Sequence, residues 1–177
     1  MAPASQMDRG SEKPGTPAEK PTSVLLVERT THQDVPAICS LLKKVWEPAP
    51  ARVPVELVKA WQPTPLEFTS WMGGVTYFSA RKDGHLVGVV GGELHHGSCR
   101  LVHLAVDPDI RRNGVATALV AALGEWAKKA NAASLWVDVL HGLTPASALF
   151  PHLGFALVGT FHRHEWGEDV ALFERVL

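Results

Sequence analysis

A strand, a helix and a second strand follow one another between about residues 99 and 140, and this succession narrows the folds open to the chain more than any other feature. Residues 99–107 read as a strand. Residues 115–130 place Val115, Leu119, Leu123 and Trp126 at helical spacing, and Lys128 and Lys129 sit in the last turn, where they complement the helix dipole. Leu135 to Leu140 is nearly all apolar, the pattern of a strand covered on both faces. Two strands joined through a helix lie side by side and parallel in one sheet, with a right-handed crossover.

Hairpin and helix signals surround that unit. Val24 to Val27 is a short apolar strand. Thr30 to Asp34 open a helix, with Thr31 and Asp34 at capping-box spacing, and it runs to about Trp46 with Val35, Ile38, Leu41, Leu42 and Val45 on one face. Pro48, Pro50 and Pro54 break the pattern, and residues 55–72 predict one or two short helices around Pro63 and Pro65. Strands are expected at about 75–81, 85–95 and 99–107, turned by Asp83-Gly84 and by Gly97-Ser98. Thr144-Pro145 predicts a short helix with an N-cap and Pro at N1, closed by Gly154. The last strands, about 156–165 and 169–177, meet at Trp166-Gly167. The order predicts an α/β fold, with helices on both faces of one central, mixed and mostly antiparallel sheet.

Composition bounds the rest. With 177 residues, 46% of them hydrophobic, the chain can bury one core. The domain is expected over 23–177. Residues 1–22 hold Pro3, Pro14, Pro17 and Pro21 among Gly, Ser and balanced charges, and they read as a disordered tail. Seventeen Lys+Arg against eighteen Asp+Glu leave a net charge of -1, so no global attraction for nucleic acid or an anionic membrane follows. No apolar run approaches the roughly 18 residues of a membrane span. Two cysteines, Cys39 and Cys99, suit a reducing compartment, which makes the cytoplasm the expected location.

The chemistry is concentrated in Leu104-Ala105-Val106-Asp107-Pro108-Asp109-Ile110-Arg111-Arg112-Asn113-Gly114-Val115-Ala116-Thr117. A strand ends at Pro108, and a loop with two arginines and one glycine runs straight into a helix. A helix N-terminus offers unsatisfied N–H groups and the positive end of the macrodipole, which together bind phosphate. Gly114 and Ala116 let the backbone approach an anion, and Arg111 and Arg112 add charge-assisted bonds. The alternative is a tight turn with solvated arginines. Neither a P-loop nor a dinucleotide-binding glycine pattern is present.

Arg111-x-x-Gly114-x-Ala116 resembles the acetyl-CoA signature of the GCN5-related N-acetyltransferase (GNAT) superfamily, and the order of elements from about Val24 to Leu177 is similar to that fold. The likeness is closest to bacterial ribosomal-protein alanine N-acetyltransferases over 104–155, including Leu135-Trp136-Val137-Asp138-Val139 and Leu149-Phe150-Pro151-His152-Leu153-Gly154-Phe155. The resemblance implies acetyl-CoA as co-substrate and no metal. It implies that Arg112, Asn113, Gly114, Val115, Ala116 and Thr117 hold the pyrophosphate, with Arg111 in the same loop. It implies that the strand of Leu104 and Val106 splays from strand 135–140, bonds the pantetheine arm, and supplies near Val106 the N–H that polarises the acetyl carbonyl. It also implies an amine acceptor, a small molecule or a peptide, and a candidate homodimer through strands 156–177.

Two positions depart from the family pattern. Leu143 stands where many members have Asn, and Phe150 lies beside the cofactor where many have Tyr, often proposed as the acid for the thiolate. Pro151 shortens or kinks that helix. Asp138 is the first candidate base, a carboxylate in an apolar strand where burial would raise its pKa, and its alternative is a structural pair with Arg or His. Glu93, sharing a strand face with His95, is the second, and its alternative is a solvated carboxylate. His162-x-His164 places two imidazoles on one strand face, without a third metal ligand at matching spacing. His103 is expected to pack against a helix. Trp46, Trp61, Trp71, Met72 and Tyr77 lie near the expected acceptor side, with core packing as their alternative. The expected function is acetyl transfer from acetyl-CoA to a primary amine by direct attack. The competing class is an acyl-CoA-binding sensor with little catalysis.

Overall fold

The computed structural model describes residues 24–48 and 53–177. The expected tail, residues 1–22, lies outside the described residues. Seven strands are present: β1 (Leu25–Arg29), β2 (Thr76–Lys82), β3 (His85–His95), β4 (Ser98–Val106), β5 (Ser134–Leu140), β6 (Ala156–Glu165) and β7 (Glu168–Val176). They form one sheet in the order β1-β2-β3-β4-β5-β7-β6. All neighbours run antiparallel except β4 and β5, the pair that the strand–helix–strand unit predicts.

Helices cover both faces. α1 (Val35–Trp46) buries Val35, Ile38, Leu41 and Leu42, the stripe its periodicity predicts. Each such side chain stabilises the fold by about 1.5–3 kcal/mol before conformational entropy is counted. α1 shares its core with α3 (Pro65–Trp71), through Phe68 and Tyr77. α2 (Val55–Ala60) packs Leu57 and Val58 on Leu140 and Val170 of the same face. The other face carries α4 (Val115–Lys129) and α5 (Thr144–His152), packed through Leu119, Leu123 and Phe150. α4 lies close because β3 is glycine beneath it. A Cβ on Gly88 would stand 2.9 Å from both Leu119 and Val115, and one on Gly92 would stand 2.5 Å from Leu123.

Three boundaries differ from the sequence reading. The first helix begins with a 3-10 turn, His32–Asp34, and the Asp34 carboxylate accepts hydrogen bonds from the Thr31 backbone and hydroxyl. The hairpin between β3 and β4 turns at His96-Gly97, with φ of 42° and 86°, and Ser98 already pairs with His95. Thr144 is the first residue of α5 and Leu143 its cap, with no side-chain capping bond. Pro151 lies inside α5, which ends one residue later.

β4 holds the feature that shapes the site. Its register against β3 jumps from Gly91↔Val102 to Val89↔Ala105, so His103 and Leu104 together face one β3 residue, and His103 has φ of 53°. Such a bulge bends its strand. Pairing between β4 and β5 covers only Ser98↔Ser134, Cys99↔Leu135 and Arg100↔Trp136, and beyond that point the two strands part.

Candidate active site

The parted edges of β4 and β5 form a wedge, and the loop that follows β4 closes one end of it. Leu104 and Val106 lie on the stretch of β4 that β5 does not pair, half-buried against the core. After Asp107 the chain makes a 3-10 turn, Pro108–Ile110, in which the Asp107 carboxylate accepts from the Asp109 N–H at 3.0 Å. Arg111, Arg112, Asn113 and Gly114 are exposed, and the Asn113 side chain donates to the Ile110 carbonyl at 2.9 Å. Arg112 and Gly114 have φ of 63° and 75°. Only glycine adopts the second value without steric penalty, and nothing lies within 4 Å of where a Gly114 Cβ would stand.

The first helical bond of α4 runs from Ala118 to the Gly114 carbonyl. The N–H groups of Gly114, Val115, Ala116 and Thr117 therefore precede the helical ladder and have no helical acceptor. The side chain of Val115 is buried and that of Thr117 is exposed. Open space at Gly114, free amides and two exposed arginines fit a pyrophosphate. Behind the loop, Lys44 of α1 donates to Asp107 at 2.7 Å and to Asp109 at 2.7 Å. Both bonds raise the Lys44 pKa above its ordinary value.

On the sheet face of α1–α3, at the root of the wedge, one guanidinium joins both candidate bases. Arg100 donates from Nε to Asp138 Oδ1 and from a terminal nitrogen to Oδ2, each at 2.8 Å. Asp138 is thus not an isolated carboxylate in an apolar strand, because the strand paired with β5 presents a cation beside it. Glu93, directly across β3–β4 from Arg100, is 3.6 Å from its guanidinium and 3.4 Å from His95 Nε2. The Arg100 pKa is raised, first by the Asp138 hydrogen bonds against the opposing effect of burial, then by the charges of Asp138, Glu93 and Glu165. Sequence reading missed Arg100. The available signal is a cation between two inward apolar positions, Cys99 and Leu101.

His103 does pack on a helix: it stacks on Trp71 of α3, with ring centroids 4.6 Å apart, and its Nδ1 is 2.7 Å from the Tyr77 hydroxyl. Burial pushes His103 down to about 4. The Cys99 thiol is pushed up to about 11, by burial and then by Glu93, so it is no nucleophile. Phe150 is 3% exposed in the core, against Phe155 and Phe173, and does not line the open face. The single-face arrangement of His162 and His164 does not hold, because β6 shifts register between Phe161 and Glu165 and Arg163 has φ of 51°. His162 Nδ1 contacts Asp169 at 3.3 Å, whereas His164 stacks on Phe161. Among the described residues no three His, Cys, Asp or Glu side chains form a metal-binding group, and no helix is long and apolar enough to cross a membrane.

Comparison with known proteins agrees with this architecture. The sequence pattern of the acetyltransferase (GNAT) family matches residues 36–155, more than half of the chain. No curated protein sequence matches. The fold is similar to the ribosomal-protein-S18-alanine N-acetyltransferase from Escherichia coli, with a TM-score of 0.68 and 22% identity over 86% of this chain and 94% of that one. It is similar to ribosomal-protein-alanine N-acetyltransferase from Brucella melitensis, with a TM-score of 0.65 and 23% identity over 86% and 99%. It is also similar to the PaiA N-acetyltransferase from Thermoplasma acidophilum, a structure in complex with coenzyme A, with a TM-score of 0.72 and 12% identity over 87% and 99%. By its sequence pattern and its fold, the chain belongs to the acetyltransferase (GNAT) family of acyl-CoA-dependent N-acetyltransferases.

Proposed function

We propose that the protein moves an acetyl group from acetyl-CoA to a primary amine of a small molecule or a protein, by direct attack of the amine. The observation that carries this reading is the continuity of the β4–β5 wedge with the free amides of Gly114–Thr117. Acetyl-CoA supplies an acyl carbon on a sulfur leaving group, with a thiol pKa near ~8.5. Arg111, Arg112 and Asn113, with the amides of Gly114, Val115, Ala116 and Thr117, would hold its pyrophosphate. Leu104 and Val106 would line its arm, and a preformed N–H near Val106 would stabilise charge developing on the carbonyl oxygen.

The amine arrives from the opposite sheet face, where Glu93 and Asp138 stand. The amine nitrogen bonds to the acyl carbon as the carbon–sulfur bond breaks, its proton passes to a carboxylate, and the sulfur leaves as a thiolate. Asp138 has both oxygens engaged by Arg100, whereas Glu93 touches that guanidinium only beyond hydrogen-bond range. Glu93 is therefore the freer acceptor of a proton, and Asp138 holds Arg100 in place or shares the task.

The test is amine-dependent release of free thiol from acetyl-CoA by the whole protein. Release that Gly114→Trp abolishes supports the reading, and release unaffected by that variant overturns the cofactor assignment. One observation favours a second reading, an acyl-CoA-binding sensor: Phe150 is buried and carries no proton for the thiolate. Tight acetyl-CoA binding without thiol release for any amine would select it.

A further inference from the structure

The sheet face at the root of the wedge holds a cavity of about 230 Å³, lined among others by Arg100, Trp136, Asp138, Phe161, His164 and Glu165. Its place follows from the register. Arg100↔Trp136 is the last rung before β4 and β5 part, so the cavity begins where the paired sheet ends. It lies on the face opposite α4, away from the pyrophosphate loop, which is the side an acceptor must use when the cofactor occupies the other.

The local charge differs from that of the whole chain. The chain as a whole carries -1. Around this cavity, Arg100 is the one cation among the residues named, and Asp138, Glu93 and Glu165 all act on it. Arg100 donates two hydrogen bonds to Asp138 at 2.8 Å, and the Glu93 carboxylate stands 3.6 Å from the guanidinium, so two carboxylates already balance its one charge. Glu174, paired with Trp136, and Glu168, paired with Glu165, extend the negative charge along the same face. The walls between the carboxylates are apolar or aromatic. Trp136 carries the Arg100 guanidinium over its ring at 5.4 Å, and Phe161 and His164 stack at 4.9 Å. Carboxylates that outnumber the cations of a cleft attract cations and repel acidic ligands.

Resting on the acetyl-transfer reading above, we infer that the acceptor is a small aliphatic diamine. One nitrogen is acetylated at the wedge, and the other stays an ammonium held by Glu165 against the walls of Phe161 and His164. The size agrees, because a cavity of about 230 Å³ lies below the range of about 300–1,000 Å³ that takes a drug-sized ligand. The products are the mono-N-acetyl diamine and coenzyme A, and the proton lost by the attacking nitrogen goes to Glu93 or Asp138.

The experiment compares thiol release with 1,5-diaminopentane, pentylamine, 5-aminopentanoate and a short peptide with a basic residue after its free N-terminus, all at saturating acetyl-CoA. The diamine is expected to exceed pentylamine by about tenfold in kcat/KM, with the amino acid slowest. The diamine-to-pentylamine ratio is expected to fall toward one in Glu165→Gln and to shrink in added salt. Equal rates for diamine and pentylamine, a ratio unchanged in Glu165→Gln, or the peptide as best acceptor would each overturn the diamine inference while leaving acetyl transfer intact. Acetyl-CoA binding without release by any of the four amines would overturn both.

Discussion

His103 stands where the bulge in β4 turns an imidazole under α3, and its protonation is coupled to folding. Burial holds it at about 4, against an ordinary value of 6.5. As pH falls through 6.5 the unfolded chain takes up a proton that the folded chain refuses until about 4. Its contribution is therefore full above 6.5 and is lost across the window from 6.5 down to 4, at up to ~1.4 kcal/mol per pH unit. Between pH 7.5 and pH 5 the protein is expected to lose about 1–2 kcal/mol more stability than His103→Gln, read from urea unfolding at the two pH values. Equal losses would mean that the imidazole is not held neutral. Arg100 teaches the companion lesson. Asp138 and Glu93 are both legible as carboxylates in a sequence, but the guanidinium that joins them reaches Glu93 across a hairpin and Asp138 only across the parallel strand pair.

At the scale of elements, α4 owes its function to what precedes it. Its 15 residues supply the dipole, but Gly114 in the left-handed region and the 3-10 turn at Pro108–Ile110 decide where its first amides point. Lys44 ties that turn to α1. Its removal leaves Asp107 and Asp109 without that cation beside Arg111, where the proposed site would take an anionic co-substrate. Lys44→Ala is expected to raise the KM for acetyl-CoA severalfold with a smaller change in kcat, and the increase should shrink at high salt. An unchanged KM would reduce the pair of ion contacts to surface decoration. Helices and hairpins were readable to within a residue or two because each rests on local periodicity and turn residues. The errors at Ser98 and Thr144 arose where a strand or helix started one residue from its strongest local signal.

For the whole molecule, the proposed binding of acetyl-CoA is linked to folding. A ligand at about 100 times its dissociation constant stabilises the folded state by about 2.7 kcal/mol, which for a domain of this length raises Tm by roughly 5–10 °C. Acetyl-CoA is expected to produce a shift of that order, and Gly114→Trp is expected to remove it. The absence of a shift in the unaltered protein would reduce the Arg111–Thr117 segment to a turn. The sheet itself explains why one bend suffices to open the site. β4 is central, held by β3 along its whole length but by β5 over only three rungs, so the gap opens inside a sheet that remains otherwise continuous.

From the residues in order, apolar periodicity and turn chemistry determined the elements, which rest on neighbours within a few residues, and their strand–helix–strand succession determined the parallel pair. Tertiary structure alone decided which groups face one another across the wedge. The bulge at His103, the placing of β7 between β5 and β6, the ion pair of Arg100 with Asp138 and the acidic cavity beside Phe161 all depend on register between strands, not on neighbours along the chain. A one-residue slip in any of those ladders would turn the same side chains to the other face of the sheet.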